Sequence, residues 1–434
     1  MGQLKSVISF PSAERQPRSM EGLARSYSAV RQQTERLAAP LSAEDQMVQS
    51  CAEASPAKWH QAHTTWFFET FILTPHLPGY AAFDQRFRDL FNSYYNAVGL
   101  PPEKALRNSF FRPSLEDAQN YRRHVDLHMQ ELFASASASE ELLQLVELGL
   151  NHEQQHQELL VTDIKHAFWS NPLRPAYQTE TGSPASASAP VQKATSFPEG
   201  LVEAGADGSH FHFDNEAPRH KVFVPAFRFA ARPATCGEYL AFMDDRGYQR
   251  PELWLSDGWM AVQAHHWTAP LYWEKSGADW YQFTCSGMRK VDEAEPVCHV
   301  SLYEADAFAR WAGARLPTEF EWEVAASTVP VQGNLLENAN LHPQPAPVTA
   351  GEQPVQIFGD VWEWTASAYL PYPGFKPASG AIGEYNGKFM SGQMVLRGGS
   401  CATPASHIRA TYRNFFAPAT RWQFSGIRLA DDSI

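Results

Sequence analysis

The stretch NHEQQHQELL, residues 151–160, carries His152-Glu153-x-x-His156. On an α-helix, residues four apart lie one turn above each other on the same face, so two imidazoles at this spacing can chelate one cation. The same pattern is the zinc-hydrolase signature, with its glutamate as general base. Amphipathic helices also carry paired histidines that bind nothing. The surrounding segment, SEELLQLVELGLNHEQQHQELLVTDIKHAFW, reads as one long amphipathic helix, so its partners decide the fold and the chemistry.

Upstream, the pattern stays helical from residue 20 to about 170. LARSYSAVRQQTERLAAPL has apolar residues at helical spacing, and SAEDQMVQSCAE begins with a cap-like Ser42. SPAKWHQAHTTWFFETFIL opens with Ser55 as the expected N-cap and Pro56 at the first helical position. SLEDAQNYRRHVDLHMQELF has Ser114 in the capping position. About four helices joined by long connections predict a bundle over residues 20–172, an architecture that builds metal sites from side chains on facing helices. Residues 173–197 are Pro-, Ser- and Ala-rich and read as a linker.

From residue 198 to 434 the pattern is short strands, turns and long loops, which makes the whole chain α+β. HKVFVPAFRFAARP alternates like a strand. Only SLYEADAFARWAGA and PTEFEWEVAAS read as helical, and Val329 to Phe358 reads as a long irregular stretch.

The composition fits two globular domains: 434 residues, 44% apolar, 13% aromatic, with 13 tryptophans. A net charge of −13 argues against nucleic acid or an acidic membrane surface as partner. No run of 18 apolar residues is present, and the first residues lack the apolar core of a secretion signal. Five scattered cysteines without a CxxC pair predict free thiols and a cytoplasmic protein. Self-association into a homo-oligomer is left open.

A metal site needs a third ligand. WHQAH, residues 59–63, offers His60 and His63, which are three apart, and spacing does not choose between them. His124 and His128 form another i,i+4 pair, read as facing solvent. Three neutral imidazoles suit zinc with one open position, and equally a non-haem Fe(II) with open positions for dioxygen and substrate.

The second half contains, in order, FDNEAPRHKVFVPAF, RLPTEFEWEVAA, GDVWEWTASAY, LRGGSCA and FSGIRLA. This set resembles the formylglycine-generating-enzyme fold, related to C-type lectins. WHQAHTTWFFE, NSYYNAVG and HEQQHQE resemble a DinB-like four-helix bundle. The two together resemble the EgtB-type sulfoxide synthases of ergothioneine biosynthesis. The resemblance implies an Fe(II)- and O2-dependent oxidoreductase joining L-cysteine to C2 of the hercynine imidazole as a sulfoxide. It places the metal on His63, His152 and His156, leaves His60 as a neighbour, and makes Glu153 an outer or surface residue. Gln155 and Asn414 would hold hercynine, with Phe415 and Phe416 beside Asn414.

Mycobacterial-type members have an aspartate where this chain has Phe416, which predicts L-cysteine over γ-glutamylcysteine as donor. Arg107 and Arg112 are the candidates for the donor's carboxylate. Tyr94 and Tyr95 are the expected catalytic pair, giving a proton to dioxygen as it is reduced; in mycobacterial-type members a tyrosine from the C-terminal domain does this. The site is expected where the two domains meet. RGGSCATPASHIR has only Cys401, too few thiols for the two-thiolate copper site of formylglycine-generating enzymes. Alternatives are histidine as acceptor, as in the ovothiol branch, whose usual extra methyltransferase domain is not expected after GIRLA, or a lectin-like binding protein.

Overall fold

The computed structural model describes residues 19–135, 139–179, 189–347 and 353–432. Residues 1–18, where no secretion signal is expected, and 180–188 of the expected linker lie outside the described residues, as do 348–352 of the long loop. The described residues form two units: a helical one of residues 19–178 with Pro377–Asn386, and a mixed one of Thr179–Lys376 with the chain from Gly387 onward. The fold class is α+β. No helix among the described residues is long and apolar enough to cross a membrane.

The helical unit is built on α1 (Met20–Ala38), α2 (Ala57–Phe68), α3 (Leu115–Ala134) and α4 (Glu140–Ser170). Ser19, Ser114 and Ser139 cap α1, α3 and α4, and Ser114 forms a reciprocal capping box with Asp117. Helix α2 differs from the others. All its residues are buried, because α3 and α4 pack against it on different sides. Polar residues on α2 therefore need partners inside the protein.

Ser55 is not the N-cap of α2. Its N–H donates to Asp163 Oδ2 (2.8 Å) and its hydroxyl accepts from Arg107 (2.8 Å), so Pro56 takes the cap position.

In the mixed unit, four strands pair in the order Asn414–Phe416, Met394–Arg397, Trp362–Ala368, Ser425–Gly426. Ala194–Phe197, Phe227–Ala230 and Ala430–Asp432 form a three-stranded sheet. The expected linker thus ends in a strand, Ala194–Phe197, held by antiparallel pairing to Phe227–Ala230.

Two helices were not read from the sequence: α5 (Cys236–Asp244) and α6 (Ser256–His265). Helices α7 (Leu302–Trp311) and α8 (Glu319–Ala326) occupy the segments expected to be helical. Helix α5 starts at a Thr235–Glu238 capping box.

The motifs that carry the resemblance form the ion-paired core of this unit. Arg397 pairs with Glu319 (3.1 Å) and Glu323 (2.8 Å), and Arg413 with Glu319 (2.8 Å). Arg428 pairs with Glu363 (2.7 Å), which also accepts from Trp322 Nε1 (2.7 Å). Gly398 has φ +99°, and a Cβ there would lie 2.5 Å from the Ile357 carbonyl, so this step after Arg397 admits glycine alone. All five cysteines are free thiols, and Cys401 is buried.

Candidate metal site

Helix α2 supplies His63, and α4 supplies His152 and His156, one turn apart. Their candidate ligand nitrogens all lie within 4.8 Å of one another. The ring centroids are 4.9 Å (63–152), 4.8 Å (63–156) and 4.6 Å (152–156) apart. His63 lies between two indoles, stacked on Trp59 at 4.4 Å and on Trp66 at 5.4 Å. Phe67 packs on His152 at 4.7 Å. Rigid aromatic neighbours hold the imidazoles in place without using their nitrogens.

Those nitrogens are the informative atoms. His63 Nδ1–H donates to the Phe91 carbonyl (2.6 Å), which leaves its Nε2 as a lone pair. That Nε2 and both ring nitrogens of His152 are buried without a hydrogen-bond partner. A buried polar atom left unmatched costs about 1–3 kcal/mol. A cation on His63 Nε2 and on the one lone-pair nitrogen of His152 would satisfy two of the three.

Burial pulls the His152 pKa down to about 3 and those of His63 and His156 well below 6.5, where the neighbouring histidines add to the effect on both. At neutral pH the rings are uncharged, as metal ligation requires. The donor set therefore fits a three-imidazole metal centre.

Glu153 is neither a base nor a surface group. It is fully buried and points away from the cluster into an ionic core. Its Oε1 accepts from Thr34 (2.7 Å) and Arg122 (2.7 Å), and its Oε2 from Arg31 (3.0 Å). Burial pushes its pKa up, but Arg122, Arg31 and Thr34 outweigh that and hold it at about 2. A carboxylate so weakly basic, with both oxygens engaged, cannot take a proton from water. The hydrolase role of the His-Glu-x-x-His motif is therefore absent.

Around the histidines stand several expected residues. Tyr94 stacks on the buried Tyr95 at 4.6 Å. Burial, then the neighbouring Tyr94 and Tyr385, push the Tyr95 hydroxyl pKa well above 10. Gln155 is half-buried. Arg107 is buried flat on Trp59, 3.4 Å from the ring centroid, and donates to Ser55 (2.8 Å) and Ser93 (3.1 Å). No carboxylate pairs with it among the described residues. Arg112 is exposed.

Asn414, Phe415 and Phe416 are half-buried residues of the mixed unit. Asn414 Oδ1 accepts from the Phe415 N–H (2.9 Å), Phe415 stacks on Tyr369 at 4.1 Å, and Phe416 meets Trp422 edge-on at 5.4 Å.

Sequence reasoning missed Tyr385. It lies in Pro377–Asn386, which belongs to the helical unit. Its ring is 5.7 Å from His152 and 6.4 Å from Tyr94, and its hydroxyl donates to Gln155 Oε1. The neighbouring Glu384 carboxylate fixes the segment by accepting from the N–H groups of Asn96 (3.1 Å) and Ala97 (2.9 Å). The only available signal was the resemblance, since a C-terminal tyrosine serves mycobacterial-type members.

Residues 180–346 and 354–433 match the family described as sulfatase-modifying factor enzyme 1-like domain. The hercynine oxygenase of Mycolicibacterium smegmatis is 36% identical over 319 residues, covering 66% of this chain and 71% of that protein. The hercynine oxygenase of Mycobacterium tuberculosis is 41% identical over 242 residues, covering 50% of this chain and 56% of that protein. Ergothioneine biosynthesis protein 1 of Schizosaccharomyces pombe is 29% identical over 234 residues, covering 51% of this chain and 27% of that protein.

Proposed function

The chain belongs to the hercynine oxygenase family and is an oxygenase, and from that premise we propose that it is an Fe(II)-dependent sulfoxide synthase of ergothioneine biosynthesis. The reaction is hercynine plus L-cysteine plus O2 to the cysteinyl sulfoxide plus water. The imidazole C2–H and the thiol S–H are broken and a C–S bond forms. One oxygen atom goes to sulfur and the other, with the two hydrogens, leaves as water. Four electrons pass to dioxygen, two from C–S bond formation and two from sulfur oxidation.

The observation that carries this reading is the cluster of three neutral histidines, two of which, His63 and His152, hold buried nitrogens without a hydrogen-bond partner. His63, His152 and His156 would hold Fe(II), which when bound supplies the redox chemistry that activates dioxygen. The remaining work falls to the chain. Arg107, a buried cation with no carboxylate in salt-bridge contact among the described residues and with only Asp163 acting on it from farther away, offers its charge to the donor's carboxylate, because a buried charge that is not directly paired favours an anionic ligand. Gln155 would orient hercynine, its side chain set by Tyr385. Asn414, with Phe415 and Phe416, is assigned to substrate from the resemblance.

Tyr94 and Tyr95 would supply the proton that directs the outcome to sulfoxide, and Tyr385 joins them. The buried, high-pKa hydroxyl of Tyr95 keeps that proton in place until it is needed. Phe416 can neither accept a hydrogen bond nor pair with an ammonium, which favours cysteine over γ-glutamylcysteine.

The test is oxygen uptake by Fe(II)-loaded protein with hercynine and either thiol, with products identified by mass. Sulfoxide from L-cysteine is expected. Sulfoxide mainly from γ-glutamylcysteine would overturn the donor assignment, and no uptake with either would overturn the activity. The tyrosine assignment fails if Tyr94→Phe, Tyr95→Phe and Tyr385→Phe all leave the ratio of sulfoxide to cysteine sulfinate unchanged.

A further inference from the structure

His60 lies on α2 one turn before His63 and is buried. Its Nδ1 is 2.8 Å from His156 Nδ1, and its Nε2 is 2.9 Å from Asp163 Oδ2. Asp163 lies two turns beyond His156 on α4 and is itself buried. Its Oδ2 also accepts the Ser55 N–H at 2.8 Å. These contacts make a chain from the start of α2 to the candidate metal ligand.

The proton positions in this chain follow from its fixed end. Asp163 Oδ2 is an acceptor for the Ser55 N–H and for His60, so His60 carries its proton on Nε2. An imidazole with its one proton on Nε2 presents a lone pair on Nδ1. Two facing nitrogens at 2.8 Å need one hydrogen between them, and it must belong to His156 Nδ1. His156 is thereby left with its lone pair on Nε2. The opposite polarity would put the proton on His156 Nε2 and block that nitrogen.

We propose that Asp163 and His60 are positioning residues that set the tautomer and ring orientation of His156 and so prepare it as a metal ligand. Three devices then act on three rings. A backbone carbonyl sets His63, a carboxylate–histidine relay sets His156, and His152 is held by packing alone among the described residues. The inference rests on the three-histidine metal reading.

The experiment measures the affinity of the metal-free full chain for Co(II), used as a redox-stable probe of the site. Wild type, His60→Leu, His60→Asn, Asp163→Leu and His63→Ala are compared, each with a thermal melt before metal is added. His60→Leu and Asp163→Leu are expected to bind about 10–100-fold more weakly, the range for losing the outer partner of a metal ligand.

His60→Asn is expected to recover most of the loss, because its side-chain oxygen can accept the His156 Nδ1–H. Asp163→Leu leaves the His60–His156 contact in place and carries the test if His60→Leu fails to fold. Wild-type affinity in both leucine variants would overturn the proposal. Equal losses in His60→Leu and His60→Asn would also overturn it, assigning His60 to packing. If His63→Ala binds as tightly as wild type, the metal reading itself falls and takes this inference with it.

Discussion

The helical unit contains two histidine pairs with the same i,i+4 spacing, and only one of them is built as a site. His152 on α4 and His63 on α2 are buried with unmatched nitrogens, and the half-buried His156 completes the cluster with its Nδ1 against His60. His124 and His128 on α3 are half-buried, 4.3 Å apart between ring centroids, with Tyr80 edge-on to His128 at 5.0 Å. Their nitrogens are engaged locally: His128 Nδ1 lies 2.8 Å from the His124 carbonyl, and His124 Nε2 lies 3.3 Å from that of Ala81. Spacing creates the opportunity for chelation. Burial of lone pairs with nothing to receive them turns the opportunity into a requirement.

The contrast makes predictions of decreasing size. His152→Ala should lower oxygen uptake by more than about 100-fold, since even an outer partner of a metal ligand is worth 10–100-fold. The double variant His124→Ala/His128→Ala should leave the rate essentially unchanged. Comparable losses in both, measured with an oxygen electrode, would erase the distinction between the pairs.

The next effect concerns the glutamate inside the motif. Glu153→Ala leaves Arg31 and Arg122 buried around a missing carboxylate and should destabilise the fold by about 3–5 kcal/mol in denaturant unfolding. A near-neutral change in stability would show that Glu153 does not hold the core together.

Metal should also stabilise the site that binds it. At a free Co(II) concentration of 100 Kd, wild type and the α3 double variant should each gain about 2.7 kcal/mol. His63→Ala should gain little under the same conditions in a thermal melt. The smallest effect lies in the mixed unit, where Asn414→Ala should raise the KM for hercynine roughly fivefold, the worth of one neutral hydrogen bond of about 1 kcal/mol. An unchanged KM would remove Asn414 from the substrate.

How much of this could be read from the chain depends on separation in sequence. The α4 pair was legible, because one helical period places both rings on one face. The choice between His60 and His63 was not. The whole of α2 is buried, so both rings face protein, and only the Phe91 carbonyl and Asp163 tell them apart. Glu153 shows the same limit: its neighbours in the motif face the histidine cluster, while its own partners come from α1 and α3.

Helix α5 was announced by Thr235 and Glu238 at capping-box spacing, a signal present and unread. Tyr385 had no local signal. It stands 230 residues from Gln155 in a stretch without periodicity, and tertiary structure alone brings the two together. The motifs RLPTEFEWEVAA, GDVWEWTASAY and LRGGSCA point in the other direction. They identified the family clearly, yet their charged residues serve buried ion pairs in the mixed unit.

The most direct measurement is iron content after anaerobic loading with Fe(II) and removal of free metal. It would be made on wild type, on His152→Ala and on the His124→Ala/His128→Ala double variant. One iron per chain in wild type and in the double variant, with loss in His152→Ala, is the predicted result. Iron retained at one per chain in His152→Ala, or absent from wild type, would contradict the three-histidine centre.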